Sequence, residues 1–557
     1  MGVYGRSRDL RAETLSACVF SGTLCCLQTN DAPLRESDTI TENKQIIGNA
    51  GVSSSRIFSW LKSDVGLLVL LAIARVALHT LTNGQYGFHR DELQTLDDAR
   101  HLDWGFVVYP PVVPLLARLE LMLFGTSLVG FRLLAAVAVS AAMVIAGLIA
   151  KDLGGGRREQ VLAAIATGIS PVSLSQGAVF QYVSIDYLWC VLLTYFLVRL
   201  LKTEDARWWL AIGAVIGLGM QTKYTMAFFA IGLVSGVVLT QARRYLWSAW
   251  LWAGVAVSLL IFLPNLVWQA QHHFISLEFL RHIHARDVSQ GRARGFLLQQ
   301  LLFCVNPATI APLFLGLWFY LVREEGKCYR ALGWMYVVTL GIFVVAKARF
   351  YYLAPMYPVL LAGGSVLWGQ WVKSLRPARS GAAQGILWTA MMAGAVIFAL
   401  TTMPLAPIGS GLWKFTSKVH DQFREEIGWT DLAQTVARVY ESLPAEEQAR
   451  TGILTGNYGE GGALNLYGPA LGLPRAMAGT NSFWYRGYTE PPPETVIVVG
   501  FDLDEAEELF SSCRVAAKNT NAYNVVNEES RDHPDILVCQ RLRETWPEFW
   551  RKFRRFG

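Results

Sequence analysis

The chain of 557 residues is 53% hydrophobic and only 17% charged, against about a quarter charged in ordinary globular domains, so it lacks the polar surface a soluble enzyme of this length needs. The same composition excludes collagen-like, coiled-coil and disordered chains and makes lipid part of the expected solvent. The net charge of +6 would speak for nucleic acid only if the cations clustered on a soluble face; many fall in short loops between apolar runs, so no nucleic-acid partner is expected.

Residues 1–62 are polar and irregular and read as a cytoplasmic N-terminal tail. A brief apolar stretch from Ala17 to Leu27, behind Arg6, Arg8 and Arg11, imitates a signal peptide but carries polar interruptions. From Val65 onward the apolar runs are long enough to cross about 30 Å of hydrocarbon at 1.5 Å per residue. They predict about eleven helices, near 65–83, 128–150, 159–178, 185–201, 207–222, 225–241, 246–265, 296–322, 331–346, 350–371 and 384–403, which makes 63–404 a polytopic α-helical membrane domain.

Every second connection is short and cationic: Lys151 with Arg157 and Arg158, Lys202 with Arg207, Arg243 with Arg244, Arg323 with Lys327 and Arg330, and Lys373 with Arg376 and Arg379. Lys and Arg resist translocation, so these loops are expected in the cytoplasm. The connections 84–127, 179–184, 223–224, 266–295 and 347–349 then face outward, and an odd number of spans sends 405–557 outside as well.

Within the first external loop, 84–127, Pro110, Pro111 and Pro114 open the stretch VVPLLARLELMLFG, which reads as a helix lying along the membrane surface. Beyond residue 404 the apolar runs shorten, acids become frequent, and ETVIVVGFD at 494–502 reads as a buried strand, so 405–557 is expected to be a soluble, extracytoplasmic α+β domain. Cys513 and Cys539 are the only cysteines there; they read as a disulfide if that part is extracytoplasmic, or as two buried thiols.

Candidate chemistry gathers on the outward side. YGFHRDELQTLDDARHLDWG, residues 86–105, holds Asp91, Glu92, Asp97, Asp98 and Asp103 where the chain leaves the bilayer. A partly desolvated carboxylate there gains basicity and suits proton removal from a hydroxyl, although a solvated acidic loop would have the same composition. Asp186 stands at the outer mouth of a span, where an ionisable residue is costly enough to mark function. The acids at 91, 92 and 186 and the cations Lys223, Lys347 and Arg349 reach one face in this topology.

The DE pair after the first span, the PP-led helix ending in LFG, Phe131 with Arg132, the Asp186 segment, GLGMQTKYT, FLPNLVWQ at 262–269 and KARFYYLAPMYP at 347–358 together resemble a family 39 glycosyltransferase. These are polytopic GT-C enzymes related to protein O-mannosyltransferases and to lipid A aminoarabinose transferases. The resemblance covers roughly 65–370, and NYGEGGALNLYGPALGLP at 457–474 is similar to the C-terminal domain of bacterial members. It implies a GT-C catalytic domain at 63–404 in a bacterial inner membrane. The implied reaction is inverting transfer of a sugar from a polyprenyl phosphate to a hydroxyl of a lipid, glycan or protein.

The resemblance assigns Asp91 as the catalytic carboxylate, Glu92 as the alternative base or its support, and Asp186 as the second acidic position. Aminoarabinose-transferring members carry a lysine where this chain has Tyr109, so the donor phosphate would fall to Arg132, Lys223, Lys347 or Arg349. Tyr109, Tyr351 and Tyr352 are candidate substrate contacts, the last two equally readable as an interfacial aromatic belt. Arg90 reads as a counter-ion for Asp91, and Lys223 as a candidate for snorkelling. His272 and His273 lack carboxylates at ligand spacing, so no metal site is assigned; no cofactor is identified beyond the lipid-linked sugar donor, and a divalent metal requirement is left open. A transporter or flippase of lipid-linked saccharides is the alternative, against which stand the absence of an internal repeat and the charges gathered at one face.

Overall fold

A computed structural model describes residues 63–557; the tail expected at 1–62 lies outside the described residues. The first span is α1, Asp64–Thr82, started by the Ser63 hydroxyl, which accepts the Gly66 amide. The outer loop then forms α2, Arg90–Arg100, and α3, Val112–Phe124. The bundle continues with α4, Leu133–Asp152, α5, Arg157–Gly168, α6, Tyr182–Thr203, α7, Trp208–Met220, and α8, Met226–Val238. It closes with α9, Ala249–Gln271, α10, Ile275–Ser289, α11, Ile310–Leu321, α12, Arg330–Val345, α13, Tyr357–Ser374, and α14, Pro377–Thr402.

Among the described residues seven helices are long and apolar enough to cross a membrane, or nine if two bent pairs each count as one span. The expected count was about eleven. The run near 159–178 is divided: Ser170 caps a short second helix whose first residue is Pro171, which has no amide to continue the ladder. The run at 207–222 yields only the 13-residue α7. Met226–Val238 turns by 108° into Gln241–Trp247, and Phe296–Cys304 by 100° into Pro307–Leu321. Hydropathy measures length along the chain and is blind to such bends. The helices approach closely where side chains are absent: a Cβ on Gly364 would stand 1.7 Å from the Pro312 carbonyl, and one on Gly316 1.8 Å from that of Leu360. Glycine there lets α11 and α13 meet backbone to backbone.

After two short helices, Gly411–Val419 and Gln422–Glu425, the C-terminal part carries α15, Trp429–Glu441, β1, Thr451–Thr455, α16, Tyr458–Tyr467, β2, Ala476–Ala478, β3, Thr495–Val499, β4, Phe510–Lys518, and β5, Asp535–Leu542. The sheet order is β2-β1-β3-β5-β4, parallel across β2-β1-β3 and antiparallel across β3-β5-β4. The run 494–502 supplies β3, buried along its length as read from its apolar pattern. Cys513 and Cys539 are paired across β4 and β5 and joined in a disulfide. Closing their separation of 26 residues is worth about 3 kcal/mol in the chain-entropy account.

This sheet shares its core with the outer loop. Phe88, Leu93 and Leu96 pack with Leu432, Val436, Ile497 and Val538 in one buried cluster. A Cβ on Gly462 would meet the Leu93 backbone at 2.8 Å, so α16 lies directly on α2. The acidic helix is thereby clamped between the membrane bundle and the sheet, and that position builds the site.

Candidate active site

α2 starts at His89, whose imidazole accepts the Asp91 amide at 3.2 Å while the Glu92 carboxylate accepts the His89 amide at 2.8 Å. This reciprocal capping fixes the first turn. Adjacent residues on a helix point about 100° apart, so Asp91 and Glu92 face different surroundings.

Glu92 turns inward and is fully buried. It accepts Arg132 Nε at 2.9 Å, Arg132 Nη2 at 2.7 Å and the Phe180 amide at 2.7 Å. The rest of the Arg132 fork donates to the Asn83 and Gly87 carbonyls, and Nη2 lies 3.3 Å from Glu426. Burial pushes Glu426 up to about 7 against the opposing pull of Arg132. Both assignments are corrected by this geometry: Glu92 has no open lone pair to act as a base, and Arg132 is fully buried with all three of its nitrogens already donating within the protein. The two form a buried ion pair that ties α2 to the start of α4.

Asp91 turns outward, with 39% of its side chain exposed. One carboxylate oxygen accepts the Tyr458 hydroxyl at 2.9 Å, and the other accepts Gln181 Nε2 at 3.1 Å. Burial, with Asp91 next, holds the Tyr458 phenol well above its ordinary range, so it stays protonated and donates. Two neutral donors orient the carboxylate without neutralising it, and its exposed edge remains free to accept a further proton.

Gln181 is followed by Tyr182, which joins Asp91 to a cation cage. Lys223 Nζ lies 5.0 Å from the Tyr182 ring centre, 5.5 Å from that of Tyr351 and 4.0 Å from that of Tyr352. Burial holds the Lys223 amine below the ordinary lysine range, with Asp186 the largest opposing influence. Among the described residues no carboxylate stands within 4.0 Å of it. Asp186 is buried behind the cage, accepting Thr225 Oγ1 at 3.2 Å and Cys190 Sγ at 3.9 Å. The half-buried aromatic faces carry the lysine where a carboxylate would have quenched it.

Arg349 reaches the cage through Tyr351, whose hydroxyl accepts Nη1 at 3.3 Å, and is held by Asp287 in a fork at 2.6 and 3.0 Å. Lys347, two residues earlier in the chain, is exposed and without an ion-pair partner among the described residues. Tyr109 is placed differently from the expected substrate contact: its buried hydroxyl donates to Asp98 at 2.6 Å, and its ring only backs Tyr182 at 5.9 Å. Asp97 and Asp98 are engaged by Arg486, so that end of the acidic helix is structural.

The structure thus brings Asp91, Asp186, Lys223, Arg349, Tyr351 and Tyr352 into one neighbourhood and leaves Glu92, Arg132 and Tyr109 as its supports. Sequence reasoning missed Gln181, Tyr182, Asp287 and Tyr458. Three of these lay inside segments already singled out, QYVSID and NYGEGG, but only as flanking residues. Among the described residues no group of His, Cys, Asp and Glu is arranged to hold a metal.

Residues 108–268 match the family described as Dolichyl-phosphate-mannose-protein mannosyltransferase. Over 328 residues the chain is 26% identical to the lipid A galacturonosyltransferase RgtD of Rhizobium johnstonii, covering 56% of this chain and 67% of that one. The fold is that of ArnT from Cupriavidus metallidurans. Its complex with undecaprenyl phosphate aligns at a TM-score of 0.54 and 16% identity, over 85% of this chain and 97% of the other. Its apo state aligns at a TM-score of 0.53 and 14% identity, over 88% and 98%. The chain shares this GT-C fold and is similar to family 39 glycosyltransferases. In a sugar transferase of this fold an open carboxylate beside an unquenched cation has a defined use, since one end of the reaction needs a base and the other a counter-charge for the departing group.

Proposed function

We propose that this membrane glycosyltransferase moves a sugar from a polyprenyl-phosphate donor to a hydroxyl acceptor at the outer membrane face, inverting the anomeric centre. The observation that carries the reading is Asp91: the half-exposed carboxylate held by Tyr458 and Gln181, joined through Tyr182 to the Lys223 cage. The ArnT structure bound to undecaprenyl phosphate supports the donor class. In the proposed step the acceptor oxygen attacks the anomeric carbon as its proton passes to Asp91. The bond from that carbon to the phosphate oxygen breaks on the opposite side, and polyprenyl phosphate leaves. Lys223, with Arg349 and Lys347 at the rim, balances the charge gathering on that phosphate. Asp186 sets the electrostatic position of Lys223 from behind rather than touching the acceptor.

The purified protein, given a panel of polyprenyl-phosphate sugars, is expected to release polyprenyl phosphate with at least one of them. A transporter would leave every donor intact, and that outcome would sink the reading. The relative RgtD, a lipid A galacturonosyltransferase, makes uronic acid donors the first to test.

Outward placement of the site is supported by the alternating cationic loops and by the Cys513 to Cys539 disulfide, a bond that persists in oxidising compartments. Reporter fusions at Arg244 and at Ser410 are expected to give cytoplasmic and extracytoplasmic signals respectively. The reverse pattern would place Asp91 in the cytosol and overturn the proposed topology.

Tyr458→Phe keeps the ring and removes the hydrogen bond to Asp91. Turnover is expected to fall roughly tenfold, with the KM for donor nearly unchanged, because orientation of the carboxylate is lost while the cage is intact. A rise in KM at constant kcat would instead make Tyr458 a binding group.

A further inference from the structure

The other end of the acidic helix carries a second cationic feature, remote from the chemistry. Arg100 closes α2 nine residues after Asp91, about 14 Å away by helical rise. A cavity of about 180 Å³ opens there, lined among others by Arg100, His101, Asn465, Pro474 and Arg475. Arg100 donates to the Asn465 carbonyl at 2.7 Å, and Arg475 donates to the Arg486 and Gly487 carbonyls. Neither arginine, nor the nearby Arg118, pairs with a carboxylate among the described residues.

The acids at hand are committed elsewhere. Asp97 is engaged by Arg486 and by Asn465 at 2.9 Å, with His101 Nδ1 3.6 Å away, and Asp103 accepts the Trp268 ring N–H at 2.7 Å. Burial and then the Arg118 charge hold the Arg100 guanidinium below its ordinary range; burial, then Arg475 and Arg100, do the same to His101. Asp97 also lines the cavity but is taken up by Arg486, and arginines gathered at an exposed rim with no carboxylate paired to them among the described residues are suited to an external anion.

The neighbouring surface says which kind. Leu115, Leu119 and Met122 are 56%, 46% and 73% exposed, and their spacing along α3 puts them on the face that bears Arg118. Leu102 and Trp104, immediately after His101, are exposed as well. A soluble anion would leave these apolar groups in water, whereas a lipid would cover them.

We propose that Arg100, Arg118 and Arg475 hold the phosphate headgroup of an anionic membrane lipid, with Leu115, Leu119 and Met122 among its acyl chains. The bound lipid anchors the junction between α2, α3 and the sheet to the bilayer surface, apart from the sugar-transfer centre.

The test uses the full chain in phosphatidylcholine nanodiscs doped with phosphatidylglycerol, with retained lipid counted by native mass spectrometry. Retention of phosphatidylglycerol over phosphatidylcholine is expected, falling about fivefold for each cation removed. Arg118→Gln is the cleanest variant, because among the described residues that side chain makes no hydrogen bond whose loss would disturb folding; the double variant Arg100→Gln with Arg475→Gln should lose more. Arg450→Gln, removing an exposed arginine paired with Glu494 at 3.3 Å, should retain lipid like the parent. Undiminished phosphatidylglycerol retention in both Arg118→Gln and the double variant would overturn the site. Displacement of the lipid by millimolar inorganic phosphate would show a soluble-anion site and overturn the lipid assignment.

Discussion

Asp91→Asn is expected to lower turnover by roughly 10²-fold or more while leaving donor affinity largely intact. The substitution keeps the shape of the side chain and an oxygen to accept the Tyr458 hydroxyl now found at 2.9 Å, and a turn of the Gln181 amide presents its oxygen to the new NH2, so the backbone has little reason to move. What disappears is the basicity. In the proposed step the donor phosphate is met by the Lys223 cage and the Arg349 fork, and Asp91 is bonded instead to Tyr458 and Gln181, so a donor titration should read nearly the same in the variant. Single-turnover measurement of polyprenyl phosphate release separates the two quantities. Near-normal transfer by Asp91→Asn would remove Asp91 from the proposed step and make Asp186 the next carboxylate to test.

The second large effect falls on folding. Arg132→Gln leaves Glu92 and Glu426 facing one another at 0% and 2% exposure with no cation between them. Removing one partner of a buried ion pair costs about 3–5 kcal/mol, because the remaining charge has lost its compensation. A lowered unfolding temperature and reduced yield of folded protein are expected. Glu92→Gln should cost less, since Glu426 remains to pair with Arg132. The contrast with Asp91→Asn is diagnostic: loss at Arg132 and Glu92 should track the amount of folded protein, whereas Asp91→Asn should fold normally and turn over slowly. Normal stability in Arg132→Gln would mean that the pair is not the structural tie its burial implies.

Much of the site was legible because membrane proteins expose their costs in the chain. An acid at a span mouth or a cation between apolar runs is expensive unless used, and Asp91, Asp186, Lys223 and Arg349 stood out on that ground. Arg132 was named by the resemblance alone and is compensated internally by Glu92, whose 40-residue separation from it hides the pairing. Tyr109 was read from its place in a motif, but its hydroxyl finds Asp98 only after the loop folds back on α2. Tyr458 could not be singled out at all, since it reaches Asp91 across 367 residues of sequence.

Local quantities along the chain therefore determined the membrane class, the long straight spans, the helix after Pro111 and the strand at 494–502, because apolar run length and periodicity are properties of neighbours in sequence. The tertiary structure alone decided where spans bend, as at 108° after Val238, since a bend depends on what packs beside the break. It also decided which of two adjacent carboxylates is open. Asp91 and Glu92 share a sequence environment, a helix turn and a chemistry; they differ only in what lies about 100° around the helix, a buried arginine from α4 on one side and a tyrosine from beyond the bundle on the other.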